Sequence, residues 1–127
     1  MFFFLNLFPS PETTATRFLF TPPNPSYAVE GMDFTLKWNY TLDGSLNAVG
    51  FFNITKTGYD LIGSRNGSGR IKSEQKYEAR FRARAKSTEA ELTILAVQSS
   101  DEGTYKLMVV SSKSGAIISN RAKIIVH

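Results

Sequence analysis

The chain has 127 residues, 42% of them hydrophobic, which fits one domain with one core. It carries no cysteine and a single histidine, His127 at the last position, so disulfides, zinc sites, redox pairs and serine or cysteine triads lack their parts. The formal net charge of +4 leaves anionic partners open, and ten Phe, five Tyr and one Trp give a strand-leaning composition.

The first fifteen residues read as a leader, either a partial signal or a disordered segment. Met1 to Phe8 is apolar, but it lacks the basic start and the longer apolar run of a secretory signal. No stretch approaches the ~20 apolar residues that span a bilayer, so no membrane span is expected within the chain. Pro9, Pro11, Pro22, Pro23 and Pro25 mark an extended approach to the folded part, residues 16–127.

Glu30 and Gly31 precede an alternating strand with Phe34, Leu36 and Trp38 on its buried side. A second strand turns Val49 and Phe51 inward, and Phe52 and Ile54 outward. Tyr59, Leu61 and Ile62 belong to the next strand. Gly63 to Gly69 reads as a Gly/Ser loop; it lacks the Gly-Lys-Ser/Thr ending of a phosphate loop. From Tyr77 to Lys86 the alternation predicts a strand with Tyr77, Ala79, Phe81, Ala83 and Ala85 on one face. Glu78, Arg80, Arg82, Arg84 and Lys86 take the other. Leu92 and Ile94 form a further inward beat, with Val97 following one added residue. The polar segment Gln98 to Gly103 then reverses the chain, with Gly103 supplying backbone freedom. Tyr105, Leu107 and Val109 point inward on the strand that follows, so Met108 and Val110 point outward. Ala122, Ile124 and Val126 are the inward face of a last strand.

Asp101–Glu–Gly–Thr–Tyr105, with the apolar beats on either side, resembles the E-to-F corner of the immunoglobulin superfamily, and the match extends from about Tyr27 to Val126. The resemblance implies an all-β, two-sheet sandwich of the variable (V-set) type. Leu107 lies 69 positions after Trp38, which leaves room for C′ and C″ strands. It implies that the Tyr105 hydroxyl bonds back to the turn, and that Arg80 pairs with Asp101. It also places Trp38 and Leu107 where the inter-sheet cysteines normally stand, and Phe51 at the strand C tryptophan position. Losing a native disulfide costs about 2–5 kcal/mol, and burying a large apolar side chain recovers roughly 1.5–3 kcal/mol, so packing can offset most of the loss. Without its cysteines, the chain resembles the domains of invertebrate cell-surface recognition receptors.

Strands C and F are neighbours in such a sandwich, which brings Phe52, Ile54, Met108 and Val110 into one apolar patch on the GFCC′ face. The implied function is an extracellular recognition or adhesion module that binds another protein domain, homophilically or heterophilically, through that face. It has no catalytic residues, cofactor or metal. The alternative is a ligand-binding receptor ectodomain. It would use its loops, particularly Ser111 to Gly115, or a basic stripe for anionic glycans. That stripe runs through Arg65, Arg70, Lys72, Lys76, Arg80, Arg82, Arg84 and Lys86, against Glu74 and Glu78. Nucleic acid is not an expected partner, since the aromatics fall on core positions and offer no stacking platform. The sequons at Asn39, Asn53 and Asn66 permit glycosylation, Asn66 being the best placed. The end at His127, straight after the last strand, suggests a segment of a longer membrane protein at the cell surface.

Overall fold

The computed structural model describes residues 15–127. Residues 1–14, most of the segment 1–15 anticipated as a leader, lie outside the described residues. Among the described residues, ten strands form two sheets: β1 (Arg17–Phe20), β2 (Ser26–Ala28), β3 (Phe34–Thr41), β4 (Leu46–Thr55), β5 (Gly58–Asn66), β6 (Lys72–Ser73), β7 (Phe81–Ala85), β8 (Glu89–Ile94), β9 (Gly103–Ser111) and β10 (Ile117–Val126). One sheet has the order β1-β3-β8-β7, the other β2-β10-β9-β4-β5-β6. This is the expected V-type sandwich: β9, β4 and β5 take the F, C and C′ places, and β10 the G place.

The core follows from period-2 alternation. Leu36, Trp38 and Tyr40 of β3 are buried between Thr35, Lys37 and Asn39 of the outer face. Tyr105, Leu107, Val109 and Ser111 do the same on β9. Leu92 and Ile94, then Val97, are buried as expected. Between Ile94 and Val97 the chain turns through Ala96 at φ 46°. At the other strand entry, Gly31 (φ 88°) lets its amide reach the Val97 carbonyl at 2.8 Å.

Two elements differ from expectation. The strand anticipated from Tyr77 begins only at Phe81, because Glu78 and Phe81 donate backbone hydrogen bonds to the carbonyls four residues earlier, Glu74 and Tyr77. This single turn puts Tyr77 and Phe81 on the same side. Their rings meet edge to face at 5.1 Å, while Ala79 is exposed. Apolar residues four apart in a turn and two apart in a strand gave one uninterrupted alternation in the sequence. The second difference is at Gly63 to Asn66, which continue β5 rather than forming a loop. The chain entering β6 passes so close to Gly63 that an added Cβ would lie 3.0 Å from Ile71 Cγ2 and 3.1 Å from the Lys72 carbonyl oxygen. The glycine there reflects close packing.

Candidate protein-binding face

The corner anticipated from Asp101 to Tyr105 is built as expected. Tyr105 Oη donates to the Asp101 carbonyl at 2.6 Å, fully buried. Arg80 makes a two-pronged ion pair with the Asp101 carboxylate, Nη1 to Oδ2 at 2.9 Å and Nη2 to Oδ1 at 2.7 Å, and Nη1 also reaches the Leu95 carbonyl. The Gln98 amide donates to Asp101 Oδ2 at 2.8 Å. Burial opposes ionisation of Asp101, but the hydrogen bonds from Arg80 and Gln98 and the Arg80 charge outweigh it and hold the carboxyl below its ordinary range. Burial pushes the Tyr105 hydroxyl well above the ordinary tyrosine range, so it stays a donor.

In place of a disulfide, Trp38 and Leu107 are both fully buried. Trp38 packs edge to face on Phe51, centroids 6.3 Å apart. Its Nε1–H donates to Asn120 Oδ1 at 2.9 Å, across the gap between the sheets. Asn120 is directly opposite Leu107 in the β10–β9 ladder. A hydrogen bond anchored beside Leu107 therefore crosses the core where a covalent bond would. Asn120 was not singled out in the sequence; the available signal was a buried indole N–H, which needs an acceptor.

The outer face of the six-stranded sheet follows from register, since directly opposed residues share a face. Val110 faces Ala48 and Ile117, Met108 faces Gly50 and Ser119, and Lys106 faces Phe52 and Arg121. Ile54 faces Thr104 and Tyr59. All four anticipated side chains, Phe52, Ile54, Met108 and Val110, thus lie on one face, and each is half-buried. The reason is local. A bulge places Ile62 of β5 opposite the Phe51–Phe52 step, turning Ile62 into the core. The Phe52 ring lies over Gly50, where a Cβ would come within 2.9 Å of Cε1. The same ring meets Tyr59 edge to face at 5.4 Å, and Lys106 Nζ stands 5.2 Å from the Tyr59 centroid. Tyr59 (58% exposed) extends the patch on one side, and Ile117 (63% exposed) on the other. Ile117 was missed because the last strand was assigned only from its inward positions.

The Ser111 to Gly115 turn is short and tied down. Ser111 and Ala116 close it at 2.9 Å, and Ser112 bonds the backbone of Ser45 in both directions. Beneath it, Asp43 Oδ1 accepts from Thr16 Oγ1 at 3.0 Å and from the Ser111 hydroxyl. Hydrogen bonds from Ser111 and Ser114 hold the Asp43 carboxyl down to about 2.

The basic stripe is divided by the fold. Arg80 is taken by Asp101, Lys76 by Asp60 at 2.8 Å, and Arg84 by Glu91 at 2.7 Å. Arg65, Arg70, Lys72 and Arg82, with Arg84, line a cleft beside β6 and β7. Of the sequons, Asn66 is exposed at the end of β5. Asn53 donates to the Tyr77 hydroxyl at 3.3 Å, and Asn39 is half-buried in β3. A second apolar surface, unanticipated, lies at the β1–β2 edge, where exposed Phe20 and Tyr27 border a cleft with Pro22 and Pro25.

The sequence profile of the immunoglobulin V-set domain matches residues 21–127. The chain belongs to the immunoglobulin V-set family. Domains of this family are generally extracellular or at the cell surface and serve recognition rather than catalysis. No curated protein sequence matches the chain significantly. Among solved structures, murine CRIg is similar with TM-score 0.73 at 18% identity, over 89% of this chain and 97% of that one. A chain from a study of T cell specificity and activation by the bacterial superantigen toxic shock syndrome toxin-1 gives TM-score 0.73 at 15% identity, covering 89% and 100%. A chicken TCR gives 0.68 at 15% identity, covering 84% of this V-set chain and 48% of its own. At such identities the likeness establishes the shared fold. Among the described residues, no helix is long and apolar enough to cross a membrane.

Proposed function

We propose that this V-set domain is an extracellular recognition or adhesion module that docks another protein domain on its GFCC′ face, with Phe52, Ile54, Met108 and Val110 at the centre. The observation that carries the reading is the continuous apolar strip from Tyr59 through Phe52 and Met108 to Ile117, with its two ends exposed. A contiguous apolar surface on a sheet marks a protein contact better than scattered apolar residues do. Lys106 and Arg121 stand side by side next to the strip, so the complementary surface has an apolar centre and an acidic neighbour. The tied-down Ser111 to Gly115 turn favours this face over a loop-based receptor, because an adaptable binding loop needs free backbone. The murine CRIg and chicken TCR folds are compatible with such a role.

The test substitutes Met108→Asp and Ile117→Asp, checks folding by circular dichroism, and measures aggregation of beads coated with the domain alongside sedimentation equilibrium. Loss of at least tenfold in association by both folded variants is expected. Folded variants that associate like the parent, with a Lys113→Glu/Ser114→Gly variant that does not, would move the site to the loop.

A further inference from the structure

The two sheets end differently from one another at the side away from β1 and β2. Among the described residues, β6 closes one sheet and β7 the other, and neither has a further strand beside it. Between them lies a cleft of about 840 Å³, within the size range of small-molecule sites. Its floor is carbon: Phe81 and Ala83 from β7, and Ile71 from the segment leading into β6. Its walls and rim carry five cations against two carboxylates, Glu78 and Glu91. Glu91 is already held by Arg84 and Lys37. Among the described residues, Arg65, Arg70, Lys72 and Arg82 have no carboxylate partner in ion-pair range.

Arg65 is the fixed member of this group. Its Nη1 donates to the Gly69 carbonyl at 3.1 Å and to the Ala85 carbonyl at 3.4 Å, so it spans the mouth from the β5 end to β7. Its Nε is buried with no hydrogen-bond partner among the described residues. A guanidinium held rigidly, incompletely paired and partly desolvated is costly without a nearby negative charge. An anion in the cleft would offset that cost.

We propose that the β6–β7 cleft binds a small amphiphile with one anionic head, a phosphate, sulfate or carboxylate on an alkyl body. The head sits among Arg65, Arg70 and Arg82, where bidentate guanidinium contacts suit it. The alkyl body lies on Ile71, Phe81 and Ala83, whose carbon surface offers a sugar chain few hydrogen-bonding groups. The cleft is separate from the GFCC′ face, so the two sites are testable independently.

The probe is decyl phosphate below its micelle concentration, titrated calorimetrically into the chain. Decanol, inorganic phosphate and a heparin fragment serve as comparisons. Saturable one-site binding is expected, weakening as salt rises and falling at least tenfold in Arg70→Gln/Arg82→Gln, whose side chains are exposed and outside the core. Met108→Asp should leave it unchanged. Equal binding of decanol would overturn the role of the cations, and equal binding of inorganic phosphate that of the floor. Heparin binding without decyl phosphate binding would replace the proposal with a polyanionic glycan site. No binding of any probe would sink it.

Discussion

Trp38 illustrates how one residue carries two tasks at a site where the family normally places a half-cystine. Its ring fills core volume against Phe51, and its Nε1–H reaches Asn120 on the opposite sheet. Each half is expendable at a different cost. Trp38→Phe leaves a cavity and an unsatisfied Asn120 amide, and should destabilise by roughly 2–4 kcal/mol. Asn120→Leu orphans the indole donor and should cost roughly 1–3 kcal/mol. If the pair is a unit, the double variant loses at least about 0.5 kcal/mol less than the sum of the singles. Urea unfolding of the four proteins measures this directly. Strict additivity would mean that Trp38 contributes by volume alone. The tryptophan was legible in the sequence; its partner was not, because an asparagine on a strand gives no sign of which face it occupies until register is known.

At the scale of elements, the corner between β8 and β9 joins the two sheets through the Arg80–Asp101 pair. Asp101 is 6% exposed, whereas the Arg80 side chain is 30% exposed. Solvent reaching Arg80 lowers the value of the pair below that of a fully buried one, so Asp101→Asn should cost roughly 1–3 kcal/mol at pH 7. Because the folded-state pKa of Asp101 is depressed, its contribution is complete above the unfolded value of about 3.9 and is lost as pH falls through the folded value. The stability gap between parent and Asp101→Asn, followed by urea midpoints from pH 7 to pH 2, should hold constant down to about pH 4 and then close. A gap independent of pH over that range would show that the carboxylate charge is not what matters. The spacing of Arg80 and Asp101 in the sequence indicated this pair through family resemblance. The turn that delivers Arg80 to it did not show, because turn and strand placed Tyr77 and Phe81 on the same side.

For the whole molecule, β1 is, among the described residues, the strand that lies before the matched V-set region, residues 21–127. It pairs antiparallel with β3 and sets Phe18 edge to face on buried Tyr40 at 6.2 Å. Thr16 ahead of it bonds Asp43. A chain beginning at Thr21 should still fold, since the core from Ala28 to Ile124 is untouched. It should lose about 1–2 kcal/mol, a fall of roughly 4–8 °C in melting temperature. Calorimetry of the two lengths decides it. An unchanged melting temperature would place β1 outside the cooperative unit.

Period-2 alternation assigned the inward and outward faces of most strands, whereas the fold type and the corner were legible through the resemblance of the Asp101 to Tyr105 run to the immunoglobulin E-to-F corner. Phe52, Ile54, Met108 and Val110 could be assigned outward for that reason alone. The contacts that became visible only in the folded chain depend on registers between distant strands. These include the bulge at Ile62, the indole bond to Asn120, the extension of the apolar strip to Tyr59 and Ile117, and the gathering of Arg65, Arg70 and Arg82 around one cleft. A linear pattern fixes which face a side chain takes. Which neighbours it meets there is set by how strands far apart in the chain align.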